Sequence, residues 1–152
     1  MKDYKIIITF FFTLLVVQTI SCQNSQPNQN TSRCEKCDIQ VIVETEKSLL
    51  ELSDDQIKCF LEGFSESCSN NVEYSEYSNE VLFKVISKYP DKFLSALSNL
   101  KIEREYIYSE LSNSILDFDL LDIRKRIEET KSNSEYKSKV LLFLNEGIGK
   151  QN

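Results

Sequence analysis

The chain contains no histidine and no tryptophan. Without histidine there is no imidazole to act as a general base, to activate a serine or cysteine, or to ligate a metal. Without tryptophan the broadest aromatic stacking surface is missing. Only three glycines occur, Gly63, Gly147 and Gly149. None belongs to a GxGxxG or a P-loop, so no nucleotide cradle is visible. There are two prolines, Pro27 and Pro90, and no Asn-Gly or Asp-Gly turn between alternating apolar runs, which leaves β-hairpins little to build on. Positive charge is also short. Lys and Arg total 18 against 24 Asp and Glu, a formal net charge of −6. That balance argues against nucleic acid, whose binders replace counterions with clustered cations, and against electrostatic docking on anionic lipid.

What is present begins with an apolar opening. Residues 1–5 carry Lys2 and Lys5 against Asp3, and residues 6–17 (IIITFFFTLLVV) are uncharged. That run has the length of a signal-peptide core and is short for a membrane span of about 20 residues. Thr19-Ile20-Ser21 follows, with small or short side chains at the −3 and −1 positions before Cys22. The expected organisation is a signal at 1–21, a polar tether at 22–33 and a single domain at 34–152. Residues 23–33 (QNSQPNQNTSR) hold no large apolar side chain and cannot repay the entropy of ordering.

Thr19-Ile20-Ser21-Cys22 resembles the lipobox of bacterial lipoproteins, with Thr19 where Leu is usual. In that family the cysteine thiol receives a diacylglyceryl group, the signal is cut just before it, and the new amine is acylated. The resemblance covers residues 1–22. It implies lipidation of Cys22 and a place in the cell envelope; a secreted soluble form is the alternative. Two or more acyl chains hold stably where one is marginal.

Five cysteines are present, Cys22, Cys34, Cys37, Cys59 and Cys68. Lipidation of Cys22 accounts for the odd one and leaves four for two disulfides. Either Cys59 pairs with Cys68 and Cys34 with Cys37, or the Cys34/Cys37 pair crosslinks to Cys59 and Cys68. The crosslinked arrangement is preferred, because it ties down a segment beside a flexible tether. Cys34-Glu-Lys-Cys37 is also a CxxC, which admits a thiol–disulfide enzyme. A redox CxxC needs a strand before it and a βαβ unit around it, and neither is apparent.

Apolar residues recur at helical spacing through the body, so the expected fold is all-α, with six or seven short helices. Ile39, Ile42, Val43, Leu49 and Leu50 mark the first, whose β-branched start also fits a short strand. Ser53-Asp54-Asp55-Gln56 is a capping box opening a second, with Ile57, Phe60, Leu61 and Phe64 on one face. A loop at 67–71 leads to a third over 72–89, with Val81, Leu82, Val85, Ile86 and Tyr89. Pro90 breaks it and starts a fourth, carrying Phe93, Leu94, Leu97 and Leu100. A fifth carries Ile102, Tyr106, Ile107 and Leu111, and a sixth Leu116, Leu120, Ile123 and Ile127. Ser132-Asn133-Ser134-Glu135 reads as a second capping box before Tyr136, Val140, Leu141 and Leu144, with Gly147 placed to end that helix. The helix–Pro–helix stretch at 80–99 resembles one hairpin of a HEAT-like repeat, so a compact bundle and a short HEAT-like stack are both admitted.

The acidic run at Asp117, Asp119 and Asp122 lacks the glycine of a calcium loop and reads as helix capping. Neither a cofactor nor a metal is called for. Among surface candidates, Glu73, Tyr74, Glu76 and Tyr77 lie in a polar, aromatic run (NNVEYSEY) leading into the third helix, a composition that interfaces favour. The sequence therefore points to a non-enzymatic protein-binding module in the envelope, with an unidentified envelope protein as partner. An inhibitor or immunity-type protein against a basic partner is the alternative.

Overall fold

The computed structural model describes residues 34–102, 104–115, 118–132 and 134–151. The export segment, Cys22, the tether, Leu116, Asp117 and Asn133 lie outside them. The described residues belong to one compact unit and form seven α-helices and one short 3-10 turn, with no strand. All-α is the fold.

The helices are α1 (Ile39–Lys47), α2 (Asp54–Glu62), α3 (Val72–Lys88), α4 (Pro90–Ser98), α5 (Glu105–Leu111), α6 (Leu120–Glu129) and α7 (Glu135–Gln151). The β-branched start at Ile39 is helical because Asp38 caps it, accepting from the Gln40 N–H at 2.9 Å. The capping box at Ser53 and Gln56 is formed in both directions. Pro90 occupies the first turn of α4, where its missing N–H costs nothing. Asp119 caps α6 by accepting from the Asp122 N–H at 2.9 Å.

Helix α3 is the spine. Its Val81, Leu82, Phe83, Val85 and Ile86 are all fully buried, so it meets neighbours on more than one side. It packs on α1, α4 and α6, while the broadest helix–helix contact joins α2 to α4. The buried Asn79 of α3 is satisfied by the end of α5. Its amide donates to the Glu110 carboxylate at 2.7 Å and to the Glu110 and Asn113 carbonyls, and its oxygen accepts from the Ile115 N–H. A buried polar side chain with its bonds made fixes register where an apolar one would slide.

Four expectations change. Helix α1 stops at Lys47, so Leu49 and Leu50 lie in the following turn. Leu49 packs on the core and Leu50 is 82% exposed. The 67–71 loop opens with a 3-10 turn at Glu66–Cys68. The hydroxyl of Ser134, rather than Ser132, accepts from the first turn of α7, at the Lys137 N–H. Gly147 does not end α7, which runs on to Gln151. It is buried where α7 crosses the α5 terminus, and a Cβ there would stand 3.2 Å from both the Leu111 carbonyl and the Leu120 side chain. Close approach, not a cap, explains this glycine.

Candidate binding site

The four body cysteines are paired as Cys34–Cys59 and Cys37–Cys68, with Cα separations of 5.1 and 5.4 Å. The crosslinked alternative is the one formed, and the two cysteines of the CxxC go to different partners. The segment before α1 is thus stapled to α2 and to the 3-10 turn. Cys37 adopts a left-handed backbone, φ 60°, a conformation that costs a non-glycine residue about 1–3 kcal/mol. Its disulfide and its N–H bond to the Gly63 carbonyl at 3.3 Å hold it there.

The expected partner-binding residues separate. Glu73 and Glu76 are exposed at the start of α3, beside Val72, itself 63% exposed. Tyr74 is not presented: it is 2% exposed and its hydroxyl donates to the Gly63 carbonyl at 3.0 Å. Burial pushes its pKa up to about 12. Tyr77 is half-buried against the core, and its hydroxyl is taken by Glu46 of α1. That bond pushes the Tyr77 pKa up to about 12. Helical geometry explains the split. Tyr74 and Ser78 fall four apart on the buried side of α3, while Glu73 and Glu76 fall three apart on the open side.

A different concavity gathers more chemistry. It lies where the chain leaves α4, enters α5, and faces the first turns of α7. Arg104 organises its floor. Its guanidinium donates to the Leu97 carbonyl at 2.7 Å and the Leu100 carbonyl at 2.6 Å, with longer bonds to Ser98 and Ile102. The last carbonyls of α4, orphaned by the helix end, are thereby satisfied by a cation at the favourable pole of the dipole. The same guanidinium lies 4.9 Å from the ring centroid of Tyr136 on α7. Tyr108 of α5 stacks on Phe143 of α7 at 5.5 Å. The Lys139 ammonium sits 5.6 Å from the Tyr108 ring, held within 3.7 Å of Glu135 and 3.9 Å of Glu105.

Arg104, Tyr108, Tyr136 and Lys139 with its two glutamates, together with Lys101 and Ile102, border a pocket of about 630 Å³, within the range of small-ligand sites. A second hollow of about 460 Å³ shares its Ile102 and Glu105 edge and extends to Lys36, between the stapled cysteines. The Tyr108 side chain borders the first, and its hydroxyl is sealed from solvent with no hydrogen-bond partner among the described residues. Leaving such a group unmatched costs about 1–3 kcal/mol. Burial pushes its pKa up to about 12, and the charged groups it senses, Arg104, Glu105 and Glu135, all border the pocket.

The sequence signal for this site is faint. Arg104, Glu105 and Tyr108 repeat a charged-and-tyrosine first turn that Glu135, Tyr136 and Lys139 also show. Spacing places each set on one helical face, but only tertiary packing shows that the two faces meet. Among the described residues no cluster of acidic or cysteine side chains is arranged to hold a metal, and no helix is long and apolar enough to cross a membrane. Comparison with protein-family models, with the curated proteins and with the solved structures finds no match to this chain.

Proposed function

We propose that this chain is an exported, lipid-tethered helical module that binds a protein partner in the cell envelope and performs no chemistry of its own. The observation that carries the reading is the cysteine pairing. Cys34, Cys37, Cys59 and Cys68 are consumed by one another, so none remains to pair with Cys22. An odd thiol directly after a signal-like segment is what lipidation uses. Two disulfides also fit an oxidising compartment outside the cytosol.

The staple suits a tethered domain. Its entry segment at Cys34 and Cys37 is crosslinked to α2 and to the 3-10 turn, so a pull along the tether is taken by covalent bonds before it reaches the core. The CxxC has little support as a redox site, because such a site closes its disulfide on itself, whereas Cys34 and Cys37 are joined to separate partners. The acidic face at Glu73 and Glu76 favours a basic partner, as an inhibitor or immunity-type protein would require.

The test is photo-crosslinking in cells that express the full chain, with the reactive group at Ile102 beside the pocket and at Glu76 on the acidic face. Capture of a defined envelope protein from either position supports a binding module. Absence of any adduct at both positions overturns it.

A further inference from the structure

We propose that the outer face of the α6–α7 hairpin is a self-association surface, on which a second copy of this chain docks about a two-fold axis. This goes beyond the binding-module reading and does not rest on lipid at Cys22. The apolar part begins with α7, whose residues 140–144 are apolar without a break. A helix turns once in 3.6 residues, so a run of five cannot all face inward. Val140 and Leu144 are buried, while Leu142 is 55% exposed. On α6, Leu121 is 61% exposed. Arg124 bonds to Asn145 across the two helices at 3.2 Å, and Leu121 and Leu142 each lie one turn before these residues. The other strongly exposed apolar side chains, Leu50 and Val72, stand singly beside Glu51 and Glu73, and lone apolar residues on a surface are ordinary.

Charge selects the occupant. Residues 117–152 carry seven Lys and Arg against seven Asp and Glu, while 34–116 carry eight against sixteen. Two copies of an acidic protein meet with least repulsion at its neutral hairpin. The hairpin is also self-complementary. Leu120 lies against Gly147, Arg124 bonds to Asn145, and Lys137 reaches the Glu128 carbonyl, so α6 and α7 run antiparallel. That register sets Lys125 about level with Leu142, and Leu121 about level with Glu146. A two-fold axis along the hairpin keeps these levels and lays α6 of each copy on α7 of the other. Lys125 then spreads its stem over the other copy's Leu142 and brings its ammonium to the other copy's Glu146, one turn away. Both charged side chains are exposed, and neither is in an ion pair among the described residues. Leu121 enters beside the other copy's Gly149, where a Cβ would have nothing within 4 Å. The axis makes each contact twice.

The experiment is sedimentation equilibrium of the protein purified from cells expressing the full chain, in density-matched detergent. The expected result is a monomer–dimer equilibrium with a dissociation constant of about 100 μM or tighter, as a small interface gives. Leu121→Ser with Leu142→Ser should weaken it at least about tenfold. Lys125→Glu and Glu146→Lys should each weaken it about fivefold, because each sets like charges opposite one another twice. The variant carrying both changes should return to within about twofold of wild type. The two charged positions are exposed, so these variants keep the fold even where the leucine pair does not. A monomer at every concentration, a dimer indifferent to all these changes, or a double charge swap no tighter than the single changes overturns the proposal. A photo-reactive group at Leu142 in cells should give an adduct of twice the chain mass; an adduct only to lipid or to another protein overturns it. Failure here with successful crosslinking at Glu76 removes the dimer and leaves the binding-module reading intact.

Discussion

The hydroxyl of Tyr74 donates to the backbone carbonyl of Gly63 at 3.0 Å, and the N–H of Cys37 reaches the same oxygen at 3.3 Å. One carbonyl at the end of α2 thus joins the disulfide-stapled entry segment to the first turn of α3. Tyr74→Phe deletes one of its two donors within the core. We expect a loss of about 1 kcal/mol in urea unfolding, with the native circular dichroism retained. No change in the urea midpoint would show that the bond does not contribute.

The disulfides close segments of 25 and 31 residues in sequence separation. Restricting the unfolded chain over loops of that length is worth about 3–4 kcal/mol each, a large part of the stability of a small domain. Paired Cys34→Ser/Cys59→Ser and Cys37→Ser/Cys68→Ser variants should each shift the urea midpoint well below wild type. Reducing agent should lower the wild-type midpoint at least as far. A midpoint insensitive to reductant would contradict the pairing.

The two glycines of α7 should respond in opposite directions. Gly149 has open space where a Cβ would go, and Gly149→Ala should stabilise the helix by up to about 1 kcal/mol. Gly147 has the Leu111 carbonyl and the Leu120 side chain each 3.2 Å from that point. Overpacking there outweighs the gain in propensity, so Gly147→Ala should destabilise by about 1–3 kcal/mol. Thermal unfolding of the two variants checks the sign of each.

Stability should also depend on pH through groups joining α1 to α3. The hydrogen bond from Lys84, then that from Tyr77, holds the Glu46 carboxyl below its usual 4.5. A carboxyl held low when folded adds stability above that usual value and loses it as pH falls through the lowered one. Glu46→Gln should therefore cost about 0.5–1 kcal/mol at neutral pH, with the difference closing as pH falls below the usual value and through the lowered one. At the alkaline end, Tyr74, Tyr77 and Tyr108 are raised to about 12. Their contribution is complete below the usual 10 and is lost as pH climbs through 12. Ultraviolet titration should show these three ionising late, in step with unfolding; a single ionisation of all tyrosines near pH 10 would contradict it.

Helix positions were readable because local signals agreed. Pro90, the Ser53–Gln56 box and the apolar spacing of Ile57, Phe60 and Leu61 all act within one or two turns. The errors arose where tertiary contact overrides local preference. Gly147 is a strong stop signal in isolation, yet it lies inside α7 because α5 presses against it. Tyr74 sits in a polar run, yet its helical phase turns it inward to Gly63. The pocket was the least legible feature. Its residues come from two helix starts and a connection some thirty positions apart in sequence, and no local pattern records that Arg104 lies over Tyr136 or that Tyr108 stacks on Phe143. Arg104 carries no local signal, and its role at the end of α4 emerges only from the path of the chain around it.

The central claim is that a covalently stapled helical body hangs from lipid on one cysteine. Intact mass of the protein recovered from cells expressing the full chain tests it most directly, measured before and after reduction. The account predicts a chain that begins at Cys22, carries added acyl mass on that residue, and gains the hydrogens of two disulfides when reduced. A product that still begins at Met1, bears no acyl group, or shows no mass change on reduction would contradict it.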